Sequence, residues 1–490
     1  IASYFQSRGI TATTNLLEAK MDEEGKLLKT KLKDHWSSIF PIRATRIFIQ
    51  YSIEKLNHNS PEYLHLLKLW KPRIQPIVPH ILQLLTQIQA YHDPQNWNDL
   101  PIEVQSFVKE SCTERFWQQG VSIQSKETFM EENVKAALTL RDFADSVGHL
   151  IRYTREYAFL TVGSIAQLED TLYEIPGVAL MIWKAVAGDT VGVTLHSWKH
   201  MINSCLRVVI KFCPVKYVEV FMSELLPAVF SDLDKLLVDR WAKISGNGIQ
   251  LQGNEDDETL SEEMMEEHML RQLTATIVRL LMDVVGQYNT RPATDTQFAC
   301  KKLVAENKEV LAPFLQICCH LFLFKDTKCS FNTILVIRNI LPDVVLKDDE
   351  VDKYLSDHLI KSLLQVLLDD YFAETHSEAA IALTTLYCAL RSKNDYPARI
   401  LIQNLQNINT RDISSFESQL VNSKSLRHQR GALLDLVRRS KNQEIDEMSK
   451  RKKELEAVSI ANRKKRNGGV DVMNDPYTEN RALGQLFGED

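Results

Sequence analysis

Residues 196–244 read HSWKHMINSCLRVVIKFCPVKYVEVFMSELLPAVFSDLDKLLVDRWAKI. Trp198, Ile202, Cys205, Val209 and Phe212 follow one another at spacings of four, three, four and three, which lines them up as one apolar stripe on a helix. Pro214 cannot donate a backbone hydrogen bond and biases its predecessor towards extended geometry, so the first helix ends there. Phe221, Leu225, Val229, Leu233 and Leu236, flanked by Leu226, Phe230, Leu237 and Trp241, repeat the pattern. Two long helices joined by about four residues lie antiparallel as an αα-hairpin. A hairpin with apolar residues on two sides needs neighbours to cover them, which is the logic of a helical solenoid.

The rest of the chain agrees. Of 490 residues, 44% are hydrophobic and 25% charged, the balance of a folded chain with a sizeable core. No run alternates as a half-buried strand would. Further helical segments read at 61–90 (with proline breaks), 129–160, 260–288, 296–324, 330–346, 351–372, 376–392, 396–408 and 423–440. Their spacing is irregular and near 40 residues, and the tetratricopeptide signature is absent, so the fold class is all-α, a HEAT-repeat superhelix of antiparallel hairpins. The solenoid is expected over 1–440 and a charged, partly disordered tail over 441–490. An acidic surface loop is expected at about 245–262, with Thr259 and Glu262 as a capping box for the helix after it. Starting at Ile1 in ordinary polar sequence, the chain reads as an internal or C-terminal part of something longer.

Composition also narrows the function classes. There is no charged leader with an apolar core, and the apolar run GVALMIWKAVAG at 177–188 is too short to cross a bilayer and carries Lys184. Eight scattered cysteines fit a reducing compartment. No phosphate loop, nucleophile elbow or H-E-x-x-H occurs. His196 and His200 stand four apart without an accompanying acid, so they read as ordinary histidines on a hairpin surface. Adjacent Cys318 and Cys319 have the wrong spacing for a redox or zinc pair and read as core thiols. The chain is not expected to be an enzyme, and no cofactor or metal is implied.

Charge is more informative. The net charge is −6, but EDDETLSEEMMEE at 255–267 carries eight acids and no base, and 411–466 carries fifteen Lys/Arg against eight Asp/Glu. Arg152 and Arg155 flank Tyr153. Arg427, Arg430, Arg438 and Arg439 lie along SLRHQRGALLDLVRRSK, where Leu426, Leu433, Leu434 and Val437 are expected to face inward. These six arginines are the candidate cargo contacts, because an outward basic face neutralises phosphates without reading bases. Solvated faces paired with neighbouring acids are the alternative. RKKR at 463–466 is a further basic patch of low specificity.

Several stretches, in this order, resemble the exportin-5 class of β-karyopherins in a fungal version: RFWQQGV (115–121), the hairpin with its FCP turn and trailing Trp at 208–244, MMEEHMLRQLTATIVRLLMDVV (264–285), LFKDT (323–327) and the terminal LGQLFGED. The resemblance covers roughly 115–490 and implies a nuclear export receptor that shuttles between nucleus and cytoplasm. It implies cargo of structured RNA, such as tRNA or precursor microRNA, and of phosphoproteins, carried together with Ran-GTP. Ran would bind mainly through repeats outside this chain, nuclear pore proteins would be further partners, and the receptor would be a monomer apart from its cargo, with no membrane insertion. Animal members look denser in lysine around the counterpart of 424–439, a departure that leaves room for phosphoprotein cargo. The competing readings are a HEAT scaffold indifferent to Ran and an RNA-binding solenoid without a transport role.

Overall fold

The structure, a computed structural model, describes residues 46–47, 49–50, 60–90, 95, 155–187, 193–246, 257–290, 294–422 and 425–441. Among them there is no strand. The helices are α1 (Pro61–Ile74), α2 (Val78–Ala90), α3 (155–166), α4 (Val178–Ala187), α5 (Leu195–Met201, a wide turn Ile202–Leu206, then Arg207–Lys211) and α6 (Val215–Tyr217, a wide turn Val218–Met222, then Ser223–Gly246). Then come α7 (Asp257–Val285), α8 (Asp295–Glu306), α9 (Lys308–Leu323), α10 (Thr327–Val344) and α11 (Asp349–Tyr354, a wide turn Leu355–Leu359, then Ile360–Leu368). The last are α12 (His376–Arg391), α13 (Tyr396–Asn404), α14 (Thr410–Asn422) and α15 (426–441). The chain divides into two compact units, residues 1–400 and 401–490.

In the first unit the helices form two rows. One runs α2, α4, α6, α9, α11, each packed on the next; the other runs α5, α7, α10, α12. Cross-row pairs α6–α7, α9–α10 and α11–α12 close the hairpins. These paired helices are therefore covered on one side by their own row and on another by the opposite row, as HEAT-like stacking requires. α8 is an added short helix that touches α6, α7, α9 and α10. Unit 2 buries Leu401, Leu405, Ile413, Phe416, Leu420, Leu433, Leu436 and Val437.

Several local expectations change. The segment 296–324 is two helices, because Asn307 leaves helical geometry (φ −102°, ψ 110°) and its side chain accepts from the Glu309 N–H as a cap. α1 runs on through Pro72, where a break was expected. α7 begins at Asp257, so the acidic stretch is mostly helix: Thr259 and Glu262 lie inside it, and Glu267 pairs with Arg271 one turn on. The helix outlasts its acid-rich start because Leu270, Leu273, Ile277, Leu280 and Leu281 are buried. Phe212, the last member of the first stripe, is 42% exposed. The wide turn at Ile202–Leu206 inserts a residue, rotating everything after it relative to the strict 3.6 repeat.

The α6–α9 contact holds both apolar and polar elements. Phe230 and Phe314 meet edge to face at 5.6 Å, a geometry worth about 0.5–1.5 kcal/mol beyond area burial. Asp234 is buried beside them and accepts from Gln316 Nε2 (2.8 Å) and His320 Nδ1 (2.7 Å), both on α9. Further along, Trp241 stacks on Phe324 at 5.5 Å and donates from Nε1 to Thr274 Oγ1 at 3.1 Å. On the other row α3 meets α5 at Gly163, where a Cβ would lie 2.2 Å from the Ser204 carbonyl oxygen.

That contact makes Gly163→Ala an overpacking change. It should destabilise the fold by roughly 1–3 kcal/mol, read as a lower urea midpoint; an unchanged midpoint would mean that α3 and α5 can separate freely. The Asp234 hydrogen bond raises His320 above its ordinary 6.5, against the lowering effect of burial. The group's stabilising effect is complete below about 6.5, the unfolded value, and fades as pH rises through the folded one. His320→Gln should therefore lower the melting temperature more at pH 6 than at pH 8. An equal loss at both pH values would show that no charge is involved.

Candidate cargo-binding surfaces

The six candidate arginines fall into different environments. Arg152 lies outside the described residues. Arg155, at the start of α3, is only 6% exposed, a correction to its reading as an outward cation: it sits against Glu156, His196 and His200 at the α3–α5 contact. The other four are on α15, where Arg427, Arg438 and Arg439 are exposed and Arg430 is half-buried.

α15 shows why. Its buried side is Ala432, Leu433, Leu436, Val437 and Ser440, the last donating to the Gln406 carbonyl at 2.9 Å. Leu426, expected inside, is 51% exposed, and Leu434 is half-buried. Counting 100° per residue from the buried centre, Arg427 and Arg438 share the line opposite the core, about three turns or ~16 Å apart. Arg430 flanks that line on one side and Arg439 on the other. Arg438 lies 3.4 Å from Asp435, both side chains well exposed, a pair worth little in water. The line can thus present cations to a partner at almost no cost in broken contacts.

A second basic surface, not singled out from sequence, is an open hollow of about 560 Å³ at the α12–α13 turn. Arg391, Ser392, Lys393, Asn394, Asp395, Tyr396 and Arg399 line it. Its charges are largely answered: Arg391 pairs with Asp395, and Lys393 with Asp349 and, at 2.9 Å, Asp352. Asp349 and Asp352 arrive from α11, which no local pattern foretells.

Among the described residues no group of three His, Cys, Asp or Glu is placed to hold a metal ion. Burial pushes the thiols of Cys205, Cys300 and Cys319 up to about 12, so they stay protonated and unreactive at neutral pH. Cys318 is buried beside Cys319, in keeping with core thiols. Among the described residues no helix is long and apolar enough to cross a membrane.

Long amphipathic helices stacked in two rows define a helical-repeat protein. The exportin-5 family model matches residues 8–453, and the chain belongs to that family. It is 39% identical to "Protein MSN5" of Saccharomyces cerevisiae over 517 aligned residues, covering 99% of this chain and 42% of that protein. It is 25% identical to "Uncharacterized protein C328.01c" of Schizosaccharomyces pombe over 378 residues, covering 73% of this chain and 31% of that one. The chain thus spans less than half the length of the curated relatives it matches.

Proposed function

We propose that this chain is the cargo-cradling part of a nuclear export receptor that binds its load together with Ran-GTP and shuttles between nucleus and cytoplasm. Membership of the exportin-5 family over residues 8–453 carries the reading. The cargo classes are structured RNA and phosphoproteins, both rich in phosphate, and the outward line of Arg427 and Arg438 on α15 supports phosphate contact. Arg430 and Arg439 extend the surface on either side. Ran-GTP binds mainly through repeats outside this chain, nuclear pore proteins are transient partners, and the receptor is monomeric apart from its cargo.

The physical mechanism is linkage. Hairpins that touch only their neighbours adjust by many small rotations, so one closed form can suit both Ran-GTP and cargo. Each ligand then raises the affinity of the other by the same factor. Hydrolysis of GTP, carried out on Ran, removes that factor and frees the load. This chain supplies shape and charge and does no chemistry.

The test uses the longer receptor, a labelled RNA hairpin and a phosphoserine peptide, each titrated by fluorescence anisotropy with Ran in its GTP or GDP form. Cargo should bind about 5–150-fold more tightly with the GTP form. Equal binding in both states would favour a scaffold without Ran dependence. Arg427→Glu with Arg438→Glu should weaken the phosphate-bearing cargo and leave Ran binding unchanged; cargo affinity equal to wild type would remove α15 from the contact surface.

A further inference from the structure

The turn between α12 and α13 reads RSKND at 391–395. Ser392 closes α12 as its C-cap, and Ser392, Lys393, Asn394 and Asp395 are all exposed. The Ser392 hydroxyl donates to the Ala389 carbonyl at 2.6 Å, an exposed bond within its own helix end. Ser392 lines the open hollow of about 560 Å³, together with Arg391, Lys393 and Arg399. One serine thus shares a hollow with three cations, and an acid, Asp395, stands three residues after it. Exposed turns are where a modifying enzyme reaches the backbone, and an acid at that position is what acid-directed serine kinases read.

Lys393 ties this turn to the start of α11, where its ammonium reaches Asp349 and, at 2.9 Å, Asp352. The two acids differ: the Asp349 side chain is 88% exposed and that of Asp352 only 7%. The other Asp352 oxygen accepts from the Leu346 N–H at 2.9 Å. Leu346 has φ of 65°, a left-handed conformation that is costly for a residue with a branched side chain. Asp352 therefore holds the α10–α11 turn in its strained form, and Lys393 neutralises the carboxylate that does so. Without Lys393, a nearly buried carboxylate would depend on the Leu346 N–H.

We propose that Ser392 is a phosphorylation site for an acid-directed serine kinase, and that its phosphoryl group, drawn to Arg391, Lys393 and Arg399, loosens the α10–α11 turn. In the transfer, Ser392 Oγ bonds to the γ-phosphorus of ATP as the bond from that phosphorus to the departing ADP oxygen breaks. The hydroxyl proton passes to the kinase's general base. The product carries a charge of about −1.5 to −2 and three acceptor oxygens at neutral pH. Exposed pairs such as Arg391–Asp395 hold so little free energy in water that a neighbouring dianion displaces them. At the C-terminal end of a helix an anion is otherwise disfavoured, so these cations are what retains the group. Of the three, Lys393 also answers a buried acid, and drawing it away is felt at Leu346. The inference does not depend on which cargo the chain carries.

The full 490-residue chain is incubated with casein kinase II and ATP, and the phosphate is placed by fragment mass spectrometry. Ser392 should carry it. Asp395→Asn should lose that phosphate while sites elsewhere in the chain keep theirs. In the phosphorylated chain the Leu346 amide should exchange with deuterium about tenfold faster or more, and unphosphorylated Lys393→Gln should show the same acceleration. Ser392→Ala, treated with kinase, should exchange as the untreated wild type does, which separates this site from any other phosphate. By phosphorus NMR, the signal missing from Ser392→Ala should titrate below the usual value of about 6 and return towards it in Arg399→Gln. Ser392, Asp395 and Arg399 are exposed, so their substitutions leave the fold intact. No phosphate on Ser392 would overturn the site. Phosphate there with unchanged Leu346 exchange, or with an unshifted titration, would overturn its capture by the hollow.

Discussion

The need of every hairpin for a neighbour is most visible where α6 meets α9. Phe230 and Phe314 supply the apolar contact, and Asp234 is buried there with its carboxylate held by Gln316 and His320. An unpartnered carboxylate at that depth would cost several kcal/mol. The two helices can therefore pack in few other registers, because sliding by a turn would strip Asp234 of both donors. Apolar area supplies most of the driving force, at roughly 1.5–3 kcal/mol per large side chain buried, but it is indifferent to register. The polar contact supplies the register at this joint, and the same row continues from α9 to α11.

Charge follows the same nearest-neighbour rule. Lys308 reaches Asp348 at 2.7 Å, Lys301 reaches Asp343 at 2.8 Å, Arg207 reaches Asp283 at 2.6 Å, and Lys71 reaches Glu174 at 2.6 Å. Each joins a helix to a residue from a later part of the chain, and each is partly exposed, so each is worth at most about 1 kcal/mol and weakens with salt. Against that pattern of answered charge, the Arg427–Arg438 line on α15 keeps its cations exposed.

Much of this was legible in the sequence. The 3.6-residue stripes gave the helices from 196 to 244 and most of those from 308 to 392, since long buried faces leave strong periodicity. α14 falls between the helical segments expected at 396–408 and 423–440, although Ile413, Phe416 and Leu420 are spaced by three and four. The start of α7 was missed because acids at 255–267 suggested solvent and loop, while the burial that anchors the helix begins several turns later. The wide turns left no local mark: Ile202–Leu206 and Leu355–Leu359 are ordinary helical sequence, and they are set by tertiary contact. The surface sites were the least legible. Arg155 and Arg427 are alike in sequence context, yet one is buried against α5 and the other exposed.

The two-row arrangement of unit 1 has a mechanical consequence. Joints between successive helices are connected end to end, like springs in series, and in series it is compliances that add. A small angular give at each of the α5–α7, α7–α10 and α10–α12 joints therefore accumulates along the row, while no single joint is strained far from its minimum. The stiffness of the unit is then a property of its length and not of any one contact. Lengthening such an array by one hairpin softens it, and a ligand that bridges two joints stiffens it by removing both from the sum.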